Sequence, residues 1–123
     1  VEEGIVKTVN EVPANKVINA IPFYTRIWET ENGQLSSQAV GMDVAEEFVK
    51  AHNIAVEWDD ETCQNYGEYT SGGSLYQVWL EDASSIEVKL NIMDKYQIGG
   101  VASWRLGYEK PEIWNVIETY LNK

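Results

Sequence analysis

The chain has 123 residues, 44% hydrophobic and 24% charged, with nine basic against twenty acidic residues and a net charge of −11. That is one ordinary domain with enough apolar material for a core, which excludes a disordered chain. So acidic a surface without a basic cluster argues against nucleic-acid binding, and no apolar run approaches the roughly 20 residues of a membrane-spanning helix.

Taken in chain order, Glu2 to Glu11 carries Ile5, Val6 and Val9 at helical spacing, with Val12 completing the period. Pro13 ends that helix. Lys16 to Pro22 is short, β-branched and almost wholly apolar, which predicts a strand buried on both faces and closed by Pro22. Residues 29–34 are polar and contain the turn pair Asn32-Gly33. A helix capped by Ser36 or Ser37 is expected next, with Val40, Val44, Phe48 and Ala51 as its apolar stripe and Asn53 at its C-terminal end. The character then becomes β. A short strand is predicted at 55–58, and a hairpin joins 66–69 to 75–80 across Ser71-Gly72-Gly73. Ser84 and Glu87 have capping-box spacing at the start of a helix whose core face is Ile86, Leu90 and Met93. Ile98 to Trp104 reads as a second buried strand, where Gly99 and Gly100 imply close approach of another backbone. Pro111 opens the clearest amphipathic helix, with Ile113, Val116, Ile117, Tyr120 and Leu121 on one side. Apolar strands flanked by helices are the signature of a parallel βα arrangement, here with a small antiparallel element between them.

Three segments carry a family resemblance. Ala20-Ile-Pro-Phe-Tyr24-Thr-Arg26-Ile-Trp28, preceded by Val12-Pro-Ala-Asn-Lys16, resembles the seventh barrel strand of family 18 (chitinase-like) glycoside hydrolases, with Ala20 and Thr25 where glycines are usual. Gln77-Val-Trp-Leu-Glu-Asp82 through Lys89 is similar to the segment that leaves the family's inserted α+β domain. Gly99-Gly-Val-Ala-Ser-Trp104-Arg-Leu-Gly107 is similar to the eighth strand, which ends in a tryptophan. In the compact insertion and the Trp79–Asp82 run the chain resembles the bacterial branch that includes spore-cortex and cell-wall glycosidases. The resemblance implies an α/β fold, the C-terminal portion of a TIM (β/α)8 barrel, with a small α+β insertion between its last two strands. It divides the chain at 1–28 (barrel helix and seventh strand), 29–96 (insertion and linking helix) and 97–123 (eighth strand and last helix). A whole barrel takes about 250 residues, so a piece of a longer protein is implied. The family's acidic DxxDxDxE signature belongs to the fourth strand and is absent here; Asp59-Asp60-Glu61 lacks its spacing. In the family its glutamate is the general acid and the substrate's N-acetyl group the nucleophile.

No catalytic residue is therefore expected in this chain. What the resemblance implies is the substrate-binding part of a glycosidase that cleaves β-1,4 bonds of N-acetylglucosamine-containing glycans, chitin-like or peptidoglycan. Trp104, matching the family tryptophan beside the scissile bond, is expected to stack on a pyranose face. Tyr24 and Arg26 are expected on the same rim, Arg26 as a fork of donors, and Trp28 and Glu81 on the cleft wall. A core tryptophan, an acidic ion-pair partner for Arg26 and core packing of Trp79 are the plainer alternatives. Asp82 and Ser84 read as helix caps, His52 as a cap of helix carbonyls, and residues 57–61 as a solvated acidic turn that misses the calcium-loop pattern. Cys63, the single cysteine, reads as a half-buried spectator. No metal or cofactor is expected, and the partner is a polysaccharide. No nucleic acid or membrane insertion is expected, and self-association of the isolated piece is. The location implied is extracellular or wall- and spore-associated. A non-catalytic module that binds glycans or a protein is the alternative.

Overall fold

The computed structural model of the protein describes residues 1–123. Along the chain run α1 (Glu2–Val9), a short 3-10 turn (Ala14–Lys16), β1 (Ile18–Pro22), β2 (Tyr24–Glu31), β3 (Gln34–Gly41), α2 (Met42–Ala51), β4 (Glu57–Asp59), β5 (Gln64–Ser71), β6 (Ser74–Leu80), α3 (Ala83–Lys95), β7 (Gly100–Trp104) and α4 (Glu112–Leu121). None of the helices is long and apolar enough to cross a membrane.

Val17, Ile21 and Phe23 are buried, while Ile18 and Ala20 are exposed. That alternation marks a strand with one covered face. β1 pairs in parallel with β7, from Ile18 opposite Gly100 to Pro22 opposite Trp104. The covered face meets Ile5 of α1, Ile86, Leu90 and Met93 of α3, and Ile113 and Ile117 of α4 in one core. The expectation of strands buried on both faces is corrected: helices cover one face only, and Ile18 and Trp104 are each 66% exposed on the strands' unpacked positions. Gly99 seals the strand entry. Its N–H donates to the Val17 carbonyl at 2.8 Å, and a Cβ there would lie 2.4 Å from the Asn15 carbonyl oxygen, a clash of backbone that nothing flexible can relieve. The close approach expected at this glycine is there.

The segment between the parallel strands forms a separate antiparallel sheet in the order β3-β2-β6-β5-β4. Two tight turns fix it. Asn32 and Gly33 have φ of 50° and 76°, and Gly72 and Gly73 have 58° and 83°. Positive φ at both central residues is what a two-residue hairpin with the right strand twist requires. The first hairpin overrides the helix expected from Ser36. Residues 34–41 instead pair along all of β2, Gln34 opposite Glu31 through Gly41 opposite Tyr24. The helix begins only at Met42, so its buried residues are Met42 and Ala45, while Val44 is half-exposed and Val40 lies on β3. Asn53, just past this helix, has φ of 50°, the left-handed position that favours asparagine at a helix end.

Two further boundaries shift. The sheet takes Tyr24 to Leu80, so residues 24–28 belong with the insertion, whereas α3 packs in the core with the parallel pair. The capping box of α3 uses Asp82 and Ser85, not Ser84 and Glu87. The Ser85 N–H donates to Asp82 Oδ1 at 3.0 Å, and the Asp82 N–H donates to Ser85 Oγ at 2.9 Å.

β1 and β7 each pair only with the other, so each presents an unpaired edge, and such edges recruit further strands. The isolated chain should therefore self-associate. Static light scattering at rising concentration is expected to give a mass above one copy; a mass of one copy at every concentration contradicts this.

Candidate functional site

The site is built where the two parallel strands end. The Phe23 N–H donates to the Trp104 carbonyl at 2.6 Å, so the chain leaving β1 starts β2 directly beside Trp104. Phe23 itself is buried in edge-to-face contact with Trp114 of α4, their centroids 5.8 Å apart. Burial of this one ring holds the rim in place from below.

From Tyr24 the strand alternates. Thr25, Ile27 and Glu29 turn to the face that α2 covers; Phe48 of α2 packs there on Tyr69 and Tyr76, and the Tyr76 hydroxyl donates to Glu29 at 3.1 Å. Tyr24, Arg26 and Trp28 share the opposite face by the period-2 rule. Arg26 is exposed; its Nη1 donates to Ser37 Oγ of β3 at 2.8 Å and its guanidinium lies 6.0 Å from the Trp28 ring centroid. Its partner is thus a hydroxyl and an indole face rather than a carboxylate. A guanidinium has five N–H donors, and the Ser37 bond engages one nitrogen. Tyr24 and Trp28 are half-buried.

Trp104 stands at the end of β7 with most of its surface in solvent, so the plain core role considered for it is not its place. Its peptide bond to Arg105 is cis. The loop after it turns back on the insertion. The Arg105 guanidinium sits 4.6 Å over the Tyr108 ring, and the Tyr108 carbonyl accepts from the Met42 N–H at 2.8 Å. Gly41 leaves the room, since a Cβ there would meet the Tyr108 ring at 3.2 Å. Lys110 then bridges to Glu46 of α2 and lies 3.6 Å from Glu112. Tyr108 and Lys110 thereby tie the Trp104 loop to the insertion. Reading by segment missed both, because each partner lies far away in sequence.

Glu81 needs correction. It is 4% exposed. Lys89 Nζ donates to its two oxygens at 2.6 and 2.7 Å, Ser85 Oγ donates at 2.9 Å and Gln64 Nε2 at 3.1 Å. Its N–H donates to Thr25 Oγ1 at 2.9 Å. Burial pushes the Glu81 carboxyl above its ordinary value, against the pull of Lys89. This is an internal anchor that joins β2, β5, β6 and α3. Removing one partner of such a buried pair typically costs about 3–5 kcal/mol. The expected place on an open cleft wall does not fit it.

The minor readings fall as follows. His52 Nδ1 lies 2.9 Å from the Phe48 carbonyl at the end of α2, the capping place expected of it. Cys63 is a half-buried free thiol. In the acidic turn, Asp59 accepts from the Glu61 N–H at 3.1 Å and the Thr62 hydroxyl at 2.8 Å. No group of three or more His, Cys, Asp or Glu side chains comes together as a metal site. What the rim offers chemically is an exposed indole, a second indole with a guanidinium beside it, and a phenol: stacking surface and hydrogen-bond donors.

A family model described as Glycosyl hydrolases family 18 matches residues 2–109. The cortical fragment-lytic enzyme of Bacillus subtilis (strain 168) is 26% identical over 99% of this chain, which spans 29% of that protein. The spore cortex-lytic enzyme SleL of Bacillus cereus superposes with a TM-score of 0.88 at 25% identity, over 98% of this chain and 28% of that one. A chitinase from Chromobacterium violaceum superposes with a TM-score of 0.87 at 24% identity, over 99% of this chain and 38% of that one, a likeness of fold alone. The chain therefore spans about three-tenths of the length of its curated relatives, and its parallel pair with insertion is a portion of the barrel these proteins share.

The ties between loop and insertion give a pH test. The Glu46 carboxyl is drawn down from 4.5 to about 2, first by its hydrogen bond with Lys110 and next by that with Lys50. A carboxyl depressed in the folded state stabilises above its ordinary value and loses that contribution as pH falls through the folded value. Glu46→Gln should lower the thermal midpoint slightly at neutral pH, since both groups are partly exposed. The gap to wild type should close between pH 4.5 and about 2. A gap that stays constant across that window contradicts the pairing.

Proposed function

The chain belongs to glycosyl hydrolases family 18, and we propose that it is the substrate-binding C-terminal part of a glycosidase acting on β-1,4 bonds of N-acetylglucosamine-containing glycans, chitin-like or peptidoglycan. The observation that carries this reading is Trp104, 66% exposed at the C-terminal end of its strand, where barrels of this kind place their sites. An indole face at such a strand end offers stacking surface. The apolar face of a pyranose is a fitting cover, and the hydroxyls at its edge suit the donors alongside.

In this reading Trp104 floors the subsite next to the scissile bond. Arg26 donates to hydroxyl or acetamido oxygens, and Tyr24 and Trp28 form the adjoining wall. Glu81 acts from behind by holding β2 and β6 at the angle that presents Arg26. Bond cleavage needs a proton donor for the leaving oxygen, and residues 1–123 lack the DxxDxDxE signature that supplies it in this family. The donor is assigned to a part of the barrel outside this chain, which binds and orients. The named relatives are cortical fragment-lytic and spore cortex-lytic enzymes, which supports a place at the spore or cell wall.

Trp104→Ala in the full-length parent tests the reading. At so exposed a position the substitution should leave stability within about 0.5 kcal/mol. Affinity for N-acetylglucosamine oligomers, measured by calorimetry, should fall about tenfold or more, equivalent to about 1.4 kcal/mol. Unchanged affinity contradicts the assignment.

A further inference from the structure

The chain has two arginines, Arg26 and Arg105. Neither forms an ion pair, although carboxylates are plentiful and Lys7, Lys50, Lys89, Lys95 and Lys110 each pair with one. Arg26 uses Ser37 and Trp28. Arg105 is exposed and rests on the ring of Tyr108, 4.6 Å from its centroid. A ring attracts the charge but offers no oxygen acceptor to the five N–H donors. The carboxylates nearest along the loop are engaged elsewhere. Glu109 accepts from the Gly107 N–H at 2.8 Å, Glu112 lies 3.6 Å from Lys110, and Glu46 is shared by Lys110 and Lys50.

Arg105 is also placed at the rim. It follows Trp104, whose carbonyl accepts from the Phe23 N–H, so Arg105 and Tyr24 leave the paired strands side by side. Gly41 lies directly opposite Tyr24, and residues so opposed share a face. A Cβ on Gly41 would meet the Tyr108 ring at 3.2 Å. The Tyr108 ring, with Arg105 against it, therefore stands on the side that carries Tyr24 and Arg26.

We propose that Arg105 determines specificity at the Trp104 site by binding a carboxylate carried by the glycan, so that acid-substituted N-acetylhexosamine chains are preferred to uncharged ones. The proposal rests on the binding role proposed for Trp104 and narrows its substrate. A guanidinium presents parallel N–H donors that match the two oxygens of a carboxylate, and such charge-assisted bonds are stronger than bonds to hydroxyls. Tyr108 holds the guanidinium in place before a ligand arrives, which reduces the freedom lost on binding. The net charge of −11 does not oppose this, because charges at the surface are screened over about 8 Å at physiological salt. A carboxylate at the rim responds first to Arg105, while Glu109, Glu112 and Glu46 are already held by N–H groups or lysines. The same net charge disfavours a densely anionic polymer, whereas an acid on every second sugar brings one carboxylate to one guanidinium. That acid is either ether-linked to the sugar ring or at the end of a short peptide attached through it.

The test uses the full-length parent and calorimetry with tetrasaccharides. One probe is the uncharged N-acetylglucosamine tetramer. The others alternate N-acetylglucosamine with N-acetylmuramic acid, with the carboxyls free, capped as methylamides, or joined to alanine, which moves the carboxylate onto a peptide. Wild type should bind an acid tetramer about fivefold or more tightly than the uncharged and methylamide probes, and added salt should narrow that gap. Arg105→Gln should remove the gap, and Arg105→Lys should keep only part of it, since the charge remains without the fork. Thermal melts check folding, and Arg105→Lys carries the test if Arg105→Gln does not fold. Preference for the free acid assigns the carboxylate to the sugar and preference for the alanyl probe assigns it to the peptide; either supports the proposal. Equal binding of acid and methylamide probes by wild type overturns it. A gap that survives unchanged in the folded variants overturns it too, because the carboxylate is then read elsewhere. A loss of equal size on all probes also overturns it, because Arg105 then only supports the Trp104 loop. No binding of any tetramer to wild type overturns the cleft reading itself.

Discussion

Pairing between β1 and β7 joins Ile18 to Gly100 and Pro22 to Trp104, on either side of the whole insertion. Everything at the rim depends on that pairing. The Phe23–Trp104 hydrogen bond at one end and the Gly99–Val17 bond at the other fix the strands in register. Closing so long a loop costs entropy that grows only slowly with length, and the insertion reduces even that by folding on its own short hairpins. Its first and last strands, β2 and β6, are neighbours in the sheet, so the chain leaves and returns at one place. Glu81 then locks the return, with Thr25 on one side and Lys89 on the other. Tyr108 and Lys110 lock the far side against α2.

Much of this layout was legible because its signals are local. Gly72-Gly73 between two β-rich runs marks a hairpin by itself, and α4 declares itself through Ile113 and Ile117. Pro22-Phe23-Tyr24 and the Trp104 segment marked two strand ends, which the structure sets side by side. The failures share one cause. Residues 34–41 have no strong alternation, and only their pairing with β2 makes them extended; read alone, Ser36 and Ser37 look like caps. Glu81 looks like a cleft carboxylate until Lys89, Ser85 and Gln64 close over it. Tyr24 and Arg26, just past the end of β1, already lie on a strand of the insertion sheet, and that sets which way they point. Trp79, flanked by Val78 and Leu80, reads as core until the register shows that Val78 takes the buried side and Trp79 the open one.

Two surfaces are left uncovered, and they differ in kind. On the parallel pair the open positions are Ile18, Ala20 and Ala102, small or aliphatic groups suited to other strands of a barrel interior. On the insertion sheet the open positions are tryptophan, tyrosine, glutamine and arginine, which combine stacking surface with donors. Apolar area of the first kind is satisfied by protein. The second kind suits a ligand that is itself part apolar and part polar. Trp104 lies where the two surfaces meet, and this gives one exposed indole its weight in the account.

The most direct measurement is a crystal structure of the full-length parent with a bound N-acetylglucosamine oligomer. The account predicts a sugar ring stacked on Trp104, with oxygens of the same chain within hydrogen-bond reach of the Arg26 guanidinium on the Tyr24–Trp28 face. An oligomer bound on the α2 side of the sheet, or one whose sugars leave Trp104 in solvent, would contradict it.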